Sequence, residues 1–155
     1  MDLVQRFFAL LAGSDIAHGT FNVQNDRQRD GKKQGQARIL REPPTAAHWD
    51  RHLRGENGLG IIPIKKNNCC HWGAVDIDVY NLDHASLIKQ VEKHKLPAIV
   101  CRSKSGGAHM FFFFTEEIHA SDLQPKLVKK VALRRAPGAF TAIWTRPSWV
   151  AFAAE

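Results

Sequence analysis

The chain has 155 residues, 44% of them apolar and 24% charged, which is enough to bury a core and too little for two full catalytic domains. That balance excludes a disordered tail, a collagen or coiled-coil fibre and a disulfide-stapled miniprotein. With 22 Lys and Arg against 15 Asp and Glu the net charge is +7, which suits a polyanionic partner, nucleic acid first among them.

The charge is uneven along the chain. Residues 1–71 carry 11 basic and 7 acidic side chains, residues 72–122 carry 5 and 7, and residues 123–155 carry 6 and 1. An acidic centre between basic flanks suits a cation site surrounded by phosphate-binding surface, and equally a solvated Lys-rich exterior. Cys69, Cys70 and Cys101 are too few and too close-set for a disulfide framework, so a reducing, cytoplasmic setting is expected. The N-terminal apolar stretch is broken by Arg6 and fails as a signal peptide, and no apolar run is long enough to span a bilayer, so no membrane partner is expected.

Leu3, Phe7, Leu10 and Leu11 recur at helical spacing and predict a short helix over 2–12 ending at Gly13. His18-Gly19-Thr20 reads as a turn, or as a template or nucleotide contact. Residues 22–38 have Val23 as their sole large apolar residue and include Gly31 and Gly35, which reads as a mobile basic loop. Pro43-Pro44 ends that stretch, and Thr45 is placed to N-cap a helix through Leu53. Strands are predicted at Leu59–Ile64, Trp72–Tyr80, Ala98–Cys101 and Ala108–Phe114, with a helix over Leu82–Lys95. Strand 72–80, helix 82–95 and strand 98–101 suit a βαβ unit, and the Gly-containing segment Arg102–Gly107 suits a hairpin. The expected fold class is an α/β (α+β) sandwich with a mixed sheet flanked by helices, in one domain without internal repeats. Cys69-Cys70-His71 lacks the C-x-x-C spacing of a zinc site and reads as strand-edge residues. Phe111–Phe114 puts rings on both faces, as in a buried central strand.

Two clusters carry chemistry. In Ala74-Val75-Asp76-Ile77-Asp78-Val79 the strand alternation sends Val75, Ile77 and Val79 to one face and both carboxylates to the other. Like charges at that spacing repel unless something offsets them, and a divalent cation does so, although a bare D-x-D is also found on solvated strand faces. The second cluster is Arg102-Ser103-Lys104-Ser105-Gly106-Gly107-Ala108-His109, in which a Gly-rich turn offers backbone N–H groups and the basic and hydroxyl side chains add donors for phosphate. Neither G-x-x-x-x-G-K-[ST] nor G-x-G-x-x-G is present. Lys32, Lys33, Arg38, Lys65 and Lys66 are the candidate nucleic-acid contacts.

Phe8–Gly13, Gly58–Ile64 leading to Cys70–Asp78, and Arg102–His109 together resemble the archaeo-eukaryotic primase superfamily, in particular the primase-like domains of TOTE-type conflict systems. The resemblance spans roughly residues 5–130 and implies an RRM-like core that joins nucleotides on a DNA or RNA template with Mg2+ or Mn2+. It implies that Asp76 and Asp78 are the metal pair of a first motif, and that His109, with Ser105 in a second motif, is a catalytic residue. It also implies that Arg102, Ser103, Lys104, Ser105, Gly106, Gly107 and His109 meet the phosphates of a nucleoside triphosphate. The family's third motif ends in a carboxylate, and after Asp122 the only acidic residue here is Glu155. The expected division is therefore a primase-like domain at 1–133 and an atypical, shortened or frame-altered tail at 134–155. Activity is then in doubt, a non-catalytic nucleic-acid-binding remnant and a metal-dependent nuclease are the alternatives, and a helicase is an expected companion.

Overall fold

The computed structural model describes residues 1–29, 32–79, 81–103, 106–123, 127 and 150–152, with backbone alone for 22–29, 32–34 and 150–152. Helix α1 (Leu3–Leu10) starts where Asp2 Oδ1 accepts from Gln5 N–H at 2.8 Å, satisfying one of the free amides of the first turn. It lays Phe7 against Trp49, ring centroids 5.8 Å apart, on helix α2 (Ala46–Leu53), for which Thr45 is the N-cap as its sequence position suggests. Between the helices lie strands β1 (His18–Arg29) and β2 (Lys32–Leu40). They pair antiparallel from His18↔Leu40 to Val23↔Gly35, with a register shift before Gln28↔Lys33.

This hairpin corrects the reading of 22–38 as a mobile loop and of His18-Gly19-Thr20 as a turn. A two-stranded ladder is held by backbone groups and needs no apolar side chains, so hydrophobic patterning does not reveal it. The sequence does carry a hairpin signal in Asp30-Gly31, a pair favoured in two-residue connections, although both residues lie outside the described ones. Strand β3 (Gly58–Ile61) pairs with β1, and β7 (Val150–Phe152) pairs with β3, so the order is β2-β1-β3-β7. β3 is shorter than the expected Leu59–Ile64 because Pro63 has no N–H for a ladder.

The second sheet has the order β4-β6-β5, from β4 (Cys69–Ile77), β5 (Ala98–Arg102) and β6 (Ala108–His119). Helix α3 (His84–Lys93) joins β4 to β5 and is capped by Asp83, whose Oδ1 accepts from Ser86 N–H at 3.1 Å. β4 and β5 run in the same direction as expected, but β6 lies between them and pairs antiparallel with both. The expected mixed sheet is thus resolved into two antiparallel sheets. The tight return at Ser103–Gly107 brings β6 onto β5 first, and β6 offers its other edge to β4. Strand β4 also stops at Ile77, because β6 begins at Ala108, the partner of Ile77, and no strand among the described residues pairs with Asp78 or Val79; the expected end at Tyr80 lies outside the described residues.

Val75, Ile77, Ala108, Met110 and Phe112 form the apolar face of this sheet and pack with Leu87 and Val91 of α3 and with Leu123 and Leu127. Gly73 lets that packing close, since a Cβ there would stand 3.1 Å from both Leu123 Cδ2 and Leu127 Cδ1. Phe111 and Phe112 are both buried, as expected of a central strand with rings on both faces. The chain divides into two compact units, Met1–Asn67 with Pro147–Glu155, and Asn68–Arg146. Most of the tail proposed for 134–155 lies outside the described residues; its described part, Val150–Phe152, is β7. No helix among the described residues is long and apolar enough to cross a membrane.

Candidate active site

The site is built where β4, β5 and β6 present one row of side chains. Asp76, His109 and Cys101 are cross-strand partners, so they share the face opposite Ile77 and Met110. The His109 Nε2 stands 3.3 Å from Asp76 Oδ1, with the carboxylate 59% exposed and the imidazole 21% exposed. His109 is further held edge-on to Phe111, centroids 6.1 Å apart. Asp78 is exposed and lies one residue beyond the end of β4. The alternation read from the sequence is therefore realised: Val75 and Ile77 are buried while Asp76 and Asp78 meet solvent. Partial desolvation raises the thiol of Cys101 above its ordinary pKa and keeps it protonated at neutral pH.

The turn after β5 is closed by Ser103 N–H donating to Gly107 O at 2.9 Å and by Gly106 N–H donating to Ser103 O at 3.0 Å. Those two amides are spent inside the turn. Gly106 has φ +88°, which an L side chain rarely adopts. Gly107 is required for a different reason, because a Cβ on it would collide with the Ile77 carbonyl of β4. His84, the first residue of α3, ties helix to turn through a hydrogen bond between Nε2 and Gly107 O at 2.9 Å. Sequence reasoning missed His84, and the signal available was its position directly after the Asp83 N-cap.

The candidate phosphate contacts do not all gather. Ser103 is buried in the turn, and Arg102, exposed at the end of β5, pairs with Ala108 and so belongs by alternation to the face opposite Asp76 and His109. Lys104 and Ser105 lie outside the described residues. Lys65 and Lys66 follow β3, Lys66 exposed, and Arg38 is exposed on β2, donating to Gln36 Oε1 at 2.8 Å. Lys32 and Lys33 open β2.

Mg2+ and Mn2+ take oxygen ligands, and in nucleotide enzymes one or two carboxylates and the substrate's phosphates hold them. Asp76 and Asp78 are two such exposed carboxylates and fit that donor set, with coordination left for phosphate and water. Among the described residues the group of three donors close enough to hold a metal lies elsewhere, at His18, Glu42 and His48. Cys69, Cys70 and His71 open β4, where Cys70 is buried and His71 Nε2 stands 3.5 Å from Glu117 Oε1.

An aspartate and a histidine thus face each other across an antiparallel sheet backed by a helix, beside a Gly-Gly turn. Residues 19–137 match the family described as the TOTE conflict system, archaeo-eukaryotic primase domain. That is well over half of the chain, and the chain belongs to this family. No curated protein matches it.

Proposed function

We propose that Asp76, Asp78 and His109 form a nucleotidyl-transfer site that extends a nucleic-acid strand on a DNA or RNA template. The observation that supports this reading is the Asp76–His109 pair, 3.3 Å apart with the carboxylate exposed, next to the glycine turn. A bound Mg2+ or Mn2+ would supply charge neutralisation at the phosphates and acidify the attacking hydroxyl. Asp76 and Asp78 would hold it as carboxylate ligands. His109, with its Nε2 toward the same place, donates to an oxygen of the triphosphate and offsets charge there. The 3′-hydroxyl oxygen forms a bond to the α-phosphorus, its proton leaves to solvent, and the bond to pyrophosphate breaks. Lys104 and Ser105 belong to the triphosphate side of this reading, and Lys32, Lys33, Arg38, Lys65 and Lys66 to the template side. A helicase supplying single strands and a cytoplasmic setting complete it.

A second reading is favoured by one observation. No third carboxylate joins Asp76 and Asp78 among the described residues. Without that ligand the site binds nucleotide and turns it over slowly or not at all, leaving a nucleic-acid-binding domain. Calorimetry of a nucleoside triphosphate with and without Mn2+, on the chain and on Asp76→Ala/Asp78→Ala, tests the site. Binding that needs Mn2+ and is lost in the variant supports it. Nucleic-acid binding that is indifferent to Mn2+ and to the variant supports the second reading. Primer lengthening identifies a polymerase, and primer shortening a nuclease.

A further inference from the structure

In the first unit, His18 opens β1, Glu42 lies two residues past the end of β2, and His48 sits in the first turn of α2. Pairing of His18 with Leu40 at the base of the hairpin is what brings Glu42 back toward His18. One donor atom from each of the three residues falls within 4.8 Å of the others. His18 is 1% exposed, and its Nδ1 is engaged with the Glu42 backbone carbonyl at 2.9 Å. A carbonyl only accepts, so Nδ1 carries the proton and Nε2 holds a lone pair. That Nε2 is buried and has no hydrogen-bond partner among the described residues. An unpaired buried acceptor is costly and rare, and it asks what it is meant to meet.

We propose that His18 Nε2, His48 Nε2 and the Glu42 carboxylate bind one divalent transition-metal ion of the zinc class, with a solvent molecule in the fourth position. Two imidazoles and one carboxylate favour zinc or cobalt over magnesium. The Nδ1–H···O=C bond from His18 is the outer contact that metal-bound histidines use to fix their tautomer, and here it is supplied by the backbone of Glu42, a ligand itself. His48 is served by Thr45. In the present geometry its Nδ1 accepts from Thr45 N–H at 3.0 Å, which leaves the ring proton on Nε2. Thr45 Oγ1 also stands 3.1 Å from that Nδ1. On metal binding the ring proton moves to Nδ1 and is donated to Oγ1, the exposed Thr45 N–H gives up its bond to Nδ1 for one to water, and Nε2 presents its lone pair to the ion. The ring stays neutral in both forms and no net proton is released. Tetrahedral donors at bond lengths of about 2.0–2.1 Å stand about 3.4 Å apart, so the cluster closes to that spacing around the ion, and Glu42, exposed, is free to rotate toward it. The bound ion ties the hairpin base to the start of α2, a role independent of nucleotide transfer at Asp76 and Asp78.

The test uses the full chain, stripped with chelator and titrated with Zn2+ and with Co2+ in the presence of excess Mg2+. The expected result is one ion per chain, retained by Asp76→Ala/Asp78→Ala and weakened at least tenfold by Glu42→Gln and by His48→Gln. The cobalt form shows the visible bands of a tetrahedral nitrogen and oxygen site, without a thiolate charge-transfer band. Thr45→Val weakens binding about tenfold while Thr45→Ser does not, the range expected for loss of an outer-shell partner. Circular dichroism of each variant in the stripped form monitors folding. Failure of the stripped wild-type chain to take up Zn2+, equal uptake by Glu42→Gln and His48→Gln, or a thiolate band from Cys69 or Cys70 would each overturn the proposal and leave the nucleotide-transfer reading untouched.

Discussion

Replacing Gly107 with alanine tests the junction between fold and site. The added Cβ would lie 2.1 Å from the Ile77 carbonyl oxygen and 3.2 Å from its carbon. An ordinary contact of this kind is about 3.4 Å, so roughly 1.3 Å of movement must come from backbone on both sides. Overpacking of that kind costs about 1–3 kcal/mol. Gly107 O also accepts from Ser103 N–H at 2.9 Å and is bonded to His84 Nε2 at 2.9 Å, and losing both adds about 1 kcal/mol each. The sum is about 3–5 kcal/mol. Gly106 provides the control: its φ is +88° and a Cβ there meets nothing within 4 Å, so Gly106→Ala carries the conformational cost alone, about 1–2 kcal/mol. Urea unfolding followed by circular dichroism gives both values. Because Asp78 follows Ile77 directly, Gly107→Ala should also weaken Mn2+-dependent nucleotide binding in the fraction that remains folded. A Gly107→Ala midpoint shift no larger than that of Gly106→Ala would refute the reasoning.

Phe112→Ala removes a ring that is 2% exposed on the central strand, and should cost about 3–5 kcal/mol in the same urea experiment. Burial lowers the pKa of His52 below its ordinary 6.5. The unfolded chain therefore binds the proton more readily, and stability should fall as pH drops from 6.5 through the folded value. His52→Gln should flatten that part of the pH profile, and an unchanged slope would count against the assignment. His48, also lowered chiefly by burial, with Glu42 opposing and His18 and Arg51 reinforcing the shift, should leave a residual slope of the same sign. If Lys65 and Lys66 touch template phosphates, Lys65→Ala/Lys66→Ala should weaken single-strand binding for every sequence alike. It should also reduce the slope of log K against log salt by about 1.4. An unaltered salt slope would remove these lysines from the interface.

Local chemistry was legible from the chain alone. Alternation along Val75–Asp78 fixed which side chains face solvent, Thr45 marked the start of α2, and Gly106-Gly107 marked a turn, because each depends on residues a few positions apart. The 3.3 Å contact of Asp76 with His109 follows from the register Asp76↔His109, which joins residues 33 positions apart and is announced by no local pattern. Long-range pairing decided the rest. Insertion of β6 between β4 and β5 is set by which strand edge the hairpin leaves open, and the polar hairpin of β1 and β2 is held by backbone groups that every sequence possesses. His18, Glu42 and His48 carry no motif spacing. Only the closing of that hairpin at His18↔Leu40 and the first turn of α2 bring an unpaired buried nitrogen, a carboxylate and a second imidazole to one place.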